Sequence, residues 1–239
     1  MSDFNGKYAL VTGASSGIGR AIALVLAKAG ADLILVSRSM DKLEKVAEEV
    51  RACGVSAHIY AIDLADVANV REKVAAIGDR HPIDILVNNA GMGYTGNLDD
   101  MPLESWQTIM DLNVTSVFQC VQALLPGLRE RNGANVNVVS VAGQQVFPGW
   151  VGYCTSKFAL MALSRGIAAE ERANGIRVTA ICPGSVNTPI WDTDTVDADF
   201  DRNAMLTPET VAEAVLGVLS LPDSAVVEEL TLMPSAGVL

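Results

Sequence analysis

Lys7-Tyr8-Ala9-Leu10-Val11-Thr12-Gly13-Ala14-Ser15-Ser16-Gly17-Ile18-Gly19 is the stretch on which the fold turns. An apolar run of strand character over 7–11 breaks into a glycine loop, and a helical pattern over 18–29 follows. Gly13 permits a tight strand-to-helix turn. Gly17 lets the backbone approach a pyrophosphate, which would sit on the free N–H groups at the start of the helix. Gly19 would let that helix pack closely on the sheet. The spacing is G-x-x-x-G-x-G, a departure from the commoner G-x-G-x-x-G dinucleotide fingerprint.

The same alternation continues along the chain. Strand patterns fall at 31–37, 55–62, 83–87, 136–139, 176–181 and 229–232. Helical patterns fall at 40–52, 67–77, 103–131, 151–173 and 208–219. Continuous apolar strands separated by helices imply βαβ units and a parallel sheet covered on both faces. The expectation is an α/β doubly wound sheet of Rossmann type, with about seven strands, in a single domain over 1–239. A long irregular stretch at about 184–206 is the exception, and loops of that length are usually functional or mobile.

Composition narrows the function classes. The 239 residues are 50% hydrophobic and carry 17 Lys and Arg against 28 Asp and Glu, a formal net charge of −11. So acidic a surface repels phosphate backbones and anionic headgroups, which argues against nucleic-acid or membrane partners. Residues 1–7 show no basic and apolar leader, and no apolar run approaches the ~20 residues of a membrane helix. Cys53, Cys120, Cys154 and Cys182 are scattered without a C-x-x-C pair, and His58 and His81 have no ligand-spaced partner. These features suit reduced thiols in a cytoplasmic protein without a metal site.

The end of the second strand discriminates between nicotinamide cofactors. A carboxylate there would bind ribose hydroxyls, whereas an Arg accommodates a 2′-phosphate. The residues are Ser37 and Arg38, with no carboxylate before Asp41. Arg38 offers a bidentate phosphate clamp and Ser37 one hydrogen bond. NADP(H) is therefore favoured over NAD(H). Tyr153 and Lys157 lie four apart on one helix face. A nearby ammonium lowers the pKa of a phenol, and such a phenol could exchange a proton with a carbonyl or alcohol.

With these motifs in order, the chain resembles the short-chain dehydrogenase/reductase family along essentially its whole length. The matching pieces are Thr12 to Gly19, Asp63-Leu64, Asn88-Asn89-Ala90-Gly91, Asn113, Ser140, Tyr153 with Lys157, and Pro183-Gly184. The resemblance implies an NADP(H)-dependent ketone or aldehyde reductase or alcohol dehydrogenase. Tyr153 would be the general acid/base, and Lys157 would lower its pKa and hold the nicotinamide ribose. Ser140 would orient the substrate oxygen, and Asn113 would position a water that relays protons. Ser15, Ser16 and Ile18 in the glycine loop would touch the cofactor. Asp63 and Leu64 would flank the adenine. Asn88, Ala90 and Gly91 would pass behind the cofactor, with Asn88 the direct contact and Asn89 structural. Pro183, Gly184, Val186 and Thr188 would contact the nicotinamide and its phosphate.

Two departures from the family pattern stand out. Val139 replaces a second Ser, and the segment from Met233 to Leu239 lacks the Asp-Gly-Gly of 3-oxoacyl-acyl-carrier-protein reductases, which weakens that substrate assignment. The substrate side draws on Gln144, Val146, Phe147, Trp150, Met92, Tyr94 and Trp191. This apolar and aromatic set suits a neutral carbonyl compound of moderate size. Asp192, Asp194, Asp197, Asp199 and Asp201 would disfavour anionic substrates if their loop closes over the site. The resemblance also implies a homotetramer or dimer, with 103–131 and 151–173 as the interface. The competing readings are a silent dinucleotide-binding sensor or scaffold, an NAD-dependent alcohol dehydrogenase, and an epimerase or dehydratase on the same fold. The sensor would be expected to lack part of the Asn113, Ser140, Tyr153 and Lys157 set, and all four are present.

Overall fold

A computed structural model describes residues 4–235 and 237. Met1 to Asp3, Ala236, Val238 and Leu239 lie outside it, so the N-terminal and C-terminal readings above are only partly covered. Seven parallel strands form one sheet in the order β3-β2-β1-β4-β5-β6-β7. They are β1 (Tyr8–Thr12), β2 (Asp32–Ser37), β3 (Ala57–Ala61), β4 (Ile83–Asn88), β5 (Ala134–Val138), β6 (Arg177–Pro183) and β7 (Glu229–Leu232). The helices are α1 (Gly17–Lys28), α2 (Met40–Arg51), α3 (Val70–Gly78), α4 (Leu103–Met110), α5 (Ser116–Glu130), α6 (Val151–Glu171) and α7 (Pro208–Leu219).

The strand sequences explain the layering. In β1, Ala9 and Val11 face the core shared with α1, α2 and α7, while Leu10 faces the core shared with α3, α5 and α6. Successive side chains point to opposite faces, so a strand covered on both sides must be apolar at every position. The edge strands confirm the rule. β7 alternates exposed and half-buried residues, and β3 is half-buried along most of its length. A one-residue slip of β1 would swap Leu10 with its smaller neighbours on both faces, so the core fixes the register. Strand order reverses between β1 and β4, which opens a crevice at their carboxyl ends, the usual place for a ligand in such sheets.

Three elements differ from the sequence pattern. The 103–131 helical run is broken into α4 and α5 by a π turn at Asp111–Thr115, centred on buried Asn113. Strand 136–139 runs instead over Ala134–Val138. Asn135 and Asn137 look like turn residues, yet both are buried and accept hydrogen bonds from Asn88 Nδ2 at 3.0 and 2.9 Å. Asn137 also donates to Ser164 on α6. The third helix starts at Val70 rather than 67, because Asp66 and Asn69 close a turn there through backbone and side-chain bonds.

Phe118 on α5 and Phe158 on α6 remain exposed, on the two helices where the sequence places an interface. Among the described residues no helix is long and apolar enough to cross a membrane. No group of three or more His, Cys, Asp or Glu among them is placed to hold a metal ion, and all four cysteines are free.

Candidate active site

A cavity of about 760 Å³ lies in the crevice, lined by residues that follow β1, β2, β3, β4, β5 and β6. Its floor is the glycine loop. Gly13 and Gly17 have φ of +64° and +52°, a region costly to other residues. A Cβ on Gly13 would lie 2.8 Å from Asn89 Nδ2 and 2.9 Å from Ala90 Cα. The loop is pinned to the turn after β4. Thr12 Oγ1 accepts the N–H groups of Asn89 at 2.9 Å and Ala90 at 3.0 Å, and Asn89 Nδ2 donates to the Thr12 carbonyl at 2.9 Å.

The start of helix α1 faces this cavity. Ser39 caps α2 and Thr207 caps α7 through their side chains, but Ser16 makes no such bond and the first turn of α1 has no acidic residue. Ser15, Ser16, Gly17 and Ile18 line the cavity instead. Uncapped N–H groups beside a backbone without Cβ atoms fit a pyrophosphate. Gly19 does not line the cavity. Its Cβ would collide with the Gly13 carbonyl and the Asn89 side chain, so its role is the close packing of helix on loop.

At the far end, Ser37, Arg38, Ser39 and Lys42 line the wall together. Ser37 Oγ is buried without a hydrogen-bond partner, a cost of about 1–3 kcal/mol that a ligand oxygen would relieve. Arg38 is exposed and makes no ion pair among the described residues. Asp63 and Leu64 line the same end, but the Asp63 carboxylate accepts the Ala65 N–H at 3.0 Å. Ser39 and Lys42 escaped the sequence reading. A Lys one helical turn beyond Arg38 was the available signal.

The reactive groups gather between β5 and α6. Ser140 lies two residues past β5, where its Oγ accepts the Ala142 N–H at 3.1 Å and caps a short 3-10 turn. Tyr153 and Lys157 reach the cavity from one face of α6. Lys157 is buried, its Nζ donating to the Val138 carbonyl at 3.1 Å and lying 5.7 Å from the centre of the Tyr153 ring. Burial pushes the Lys157 ammonium down to about 8. Burial also pushes the Tyr153 phenol up to about 12, opposed by the facing Ser140 hydroxyl. The sequence reading had Lys157 lowering the phenol. In the structure burial is the dominant influence on Tyr153, and the group that opposes it is the Ser140 hydroxyl rather than Lys157.

Asn113 does not line the cavity. Its Oδ1 accepts the Met92 N–H at 2.9 Å, and its Nδ2 donates to the Met92 carbonyl at 3.0 Å and to Ser156 Oγ at 3.0 Å. Ser156 in turn donates to the Tyr153 carbonyl at 2.7 Å. The π turn is thereby clamped to α6 and to the segment after β4. Gly91 leaves the space for this, since its Cβ would lie 3.1 Å from Asn113 Oδ1. Ser156 carried no signal in the sequence beyond its place beside Lys157.

Four expected contacts are corrected. Asn88 points into the sheet toward Asn135 and Asn137, so it does not line the cavity; Asn89, Ala90 and Gly91 do. Gln144 donates to Thr231 Oγ1 on β7 at 3.0 Å and likewise faces away. Tyr94 and the exposed Val146 are absent from the lining too, whereas Met92, Phe147, Trp150 and Trp191 form part of it. Pro183, Gly184, Val186 and Thr188 line the cavity as expected.

The long segment after β6 is an ordered lid. Its neck is closed by Asn187 N–H to the Leu206 carbonyl and Leu206 N–H to the Ser185 carbonyl, at 2.8 and 3.0 Å. Arg202 braces the interior, donating to Asn187 Oδ1, Asp192 Oδ1 and the Thr188 carbonyl at 2.9 to 3.0 Å. Its tip is latched to the loop after β4. Thr95 N–H donates to the Thr195 carbonyl at 2.9 Å, and Thr195 Oγ1 donates to the Gly93 carbonyl at 2.8 Å.

A doubly wound sheet, an uncapped glycine loop and a cluster of Tyr153, Lys157 and Ser140 thus meet in one crevice. The short chain dehydrogenase profile matches residues 7–198, and the chain belongs to the short-chain dehydrogenase/reductase family. It is 33% identical to an uncharacterised oxidoreductase of Staphylococcus epidermidis over 236 residues, 98% of this chain and 100% of the relative. It superposes on the alcohol dehydrogenase of the archaeon Thermococcus sibiricus, complexed with 5-hydroxy-NADP, with a TM-score of 0.88 at 32% identity, covering 96% and 97% of the two chains. Carveol dehydrogenase of Mycobacterium avium, in complex with NAD, shares the fold with a TM-score of 0.87 at 24% identity, covering 98% of each.

Proposed function

We propose that the protein interconverts a carbonyl compound and a secondary or primary alcohol with NADP(H), using Tyr153 as general acid/base. The observation that carries this reading is the cluster itself. The Tyr153 phenol and Ser140 hydroxyl line one cavity with the glycine loop, over a buried Lys157. The residues present fit a dinucleotide. Gly13 and Gly17 leave the room, Ser15 to Ile18 offer free helix-start N–H groups, and Val186 and Thr188 close the other side. When bound, the nicotinamide supplies the hydride acceptor or donor.

The chain's own residues handle the proton. Ser140 holds the substrate oxygen by donating a hydrogen bond. Tyr153, kept protonated by burial, gives its proton to that oxygen in the reducing direction. The phenolate left behind is stabilised by the Lys157 ammonium, the one cation in the lining at this end of the cavity. Asn113 and Ser156 fix Tyr153 by its own carbonyl. Tyr153→Phe is expected to lower turnover about 10²- to 10⁴-fold while dinucleotide binding, followed by fluorescence, stays intact. Undiminished NADPH oxidation across a ketone panel would remove Tyr153 from the mechanism, and no oxidation by the wild type would favour a silent binder.

The cofactor preference rests on Ser37, Arg38, Ser39 and Lys42. Two cations and two hydroxyls surround the place where a 2′-phosphate would sit, and the nearest lining carboxylate, Asp63, is turned onto its own loop. A higher kcat/KM with NADPH than with NADH is expected. Arg38→Ala should cut that ratio by about tenfold, in line with the loss of one charge-assisted phosphate contact. A wild type that prefers NADH would reverse the assignment.

A further inference from the structure

Beyond the catalytic phenol, the cavity wall is a line of aromatic rings. Trp150 stands edge-to-face on Tyr153 at 5.6 Å between centroids, Trp191 on Trp150 at 5.9 Å, and Phe200 on Trp191 at 5.4 Å. All four line the cavity. The lid places one carboxylate on the same rim. Asp194 also lines the cavity, and it sits between Thr193 and Thr195, whose hydroxyls are 3.2 Å apart and bonded to the Ile190 and Gly93 carbonyls. The residues on either side of it are therefore held by the latch.

The charges on this rim do not cancel. Arg202, the basic residue of the lid, is occupied by Asp192, Asn187 and the Thr188 carbonyl. Asp194 has no cationic partner among the described residues. Of the basic residues that line the cavity, Arg38 and Lys42 lie at the opposite end and Lys157 is buried beneath Tyr153. A π wall attracts a cation to its ring faces, and an unpaired carboxylate beside it adds a Coulombic pull in the same direction.

We propose that Trp150, Trp191, Phe200 and Asp194 form a subsite for an ammonium group, so that the substrate is a carbonyl compound bearing a protonated amine or quaternary ammonium. The proposal rests on the carbonyl-reductase reading above and names the substrate class for that site. Because Asp194 is exposed and keeps much of its hydration, the selectivity is expected to be about tenfold rather than absolute.

The test uses three para-substituted acetophenones with NADPH and the full chain. The substituents sit at the end of an ethylene spacer that insulates the carbonyl from their electronic effect: trimethylammonio, its uncharged isostere tert-butyl, and carboxylate. The wild type should show the highest kcat/KM for the ammonium ketone, about tenfold above the tert-butyl ketone, and the lowest for the carboxylate. Asp194→Asn should remove most of the ammonium ketone's advantage over the tert-butyl ketone, leaving only the part the rings supply. Asp194→Lys should raise the carboxylate ketone above the ammonium one. Equal rates for the ammonium and tert-butyl ketones in the wild type, or an ammonium advantage that Asp194→Asn leaves undiminished, overturn the proposal. Phenyltrimethylammonium binding, read by tryptophan fluorescence with NADP+ present, separates the subsite from the chemistry. Binding that weakens severalfold in Asp194→Asn without turnover of any ketone would uphold the subsite and sink the reductase reading. Absent binding would sink the subsite.

Discussion

The floor of the cavity and its lid reach the same crevice by opposite means. The floor turns from β1 into α1 within a few residues, and backbone, glycine and the buried Thr12 hydroxyl hold it. The lid takes some twenty residues between Val186 and Leu206 to return to where it began, and exposed or half-buried side chains hold it: Arg202, Trp191, Thr195. A Cβ cannot be added to Gly13 without meeting Ala90 and Asn89. At the tip of the lid the comparable approach is to a side chain rather than to backbone, a Cβ on Gly93 meeting Val196 Cγ2 at 2.8 Å. The floor can therefore be built in essentially one way and serves what every substrate needs, a dinucleotide and a proton. The lid can vary without disturbing the sheet, and it carries the residues that touch what is specific to one substrate.

The hardest blow to the fixed side of the cavity is Lys157→Met. Turnover should fall about 10²- to 10⁴-fold, because Tyr153 loses the cation that balances its phenolate. Stability should move the other way. Burial lowers the Lys157 pKa from 10.5 to about 8. As pH falls from 10.5 to 8, the unfolded chain takes up this proton and the folded one does not, so folding loses free energy across that window. The loss stays complete below it, on the order of 3 kcal/mol. Met has the same reach and no charge, and it gives up only the bond to the Val138 carbonyl, worth about 1 kcal/mol. The variant should therefore outlast the wild type in urea by roughly 2 kcal/mol at pH 7. The advantage should disappear near pH 10.5. A stability difference that ignores pH would show that the buried ammonium carries no such strain.

Gly13→Ala attacks the same side through the backbone. An alanine at φ +64° costs about 1–3 kcal/mol, and its Cβ forces Asn89 and Ala90 back from the loop. Melting temperature and NADPH affinity should drop together. If only affinity fell, the loop would be a ligand cradle with no part in holding β1 to β4.

The contrast also explains what the sequence revealed. Strands with every position apolar, the glycine spacing and the Tyr153–Lys157 pair all obey local rules, so their elements were legible to within a few residues. Asn135 and Asn137 hid the start of β5, because a buried amide looks like a turn residue until its partners Asn88 and Ser164 are known. Those partners lie 27 to 49 positions away. The same distance problem misplaced Asn88 and Gln144, whose side chains are bonded to other strands rather than to the cavity. Asn113 was legible as an interruption of a helix. That it clamps Met92 and Ser156 was not, because those bonds depend on tertiary packing. The lid was legible only as a long irregular segment, since nothing local marks Arg202 as its brace.

Arg202→Ala probes the lid, and its effect should be the smallest of the three. The guanidinium is partly exposed and its pair with Asp192 is screened, so global stability should change by less than about 1 kcal/mol. Of the acceptors it leaves behind, Asn187 Oδ1 and Asp192 Oδ1 belong to exposed residues and can be rehydrated, and the carbonyl of buried Thr188 is the exception. What it does hold is the path between Thr188, beside the glycine loop, and Asp192, next to the aromatic wall. Loosening that path should raise KM for the carbonyl substrate severalfold and leave KM for NADPH and the melting temperature nearly unchanged. A matching rise in both KM values would mean that the lid is part of the floor, and the division between a fixed half and a variable half would have to be redrawn at Thr188.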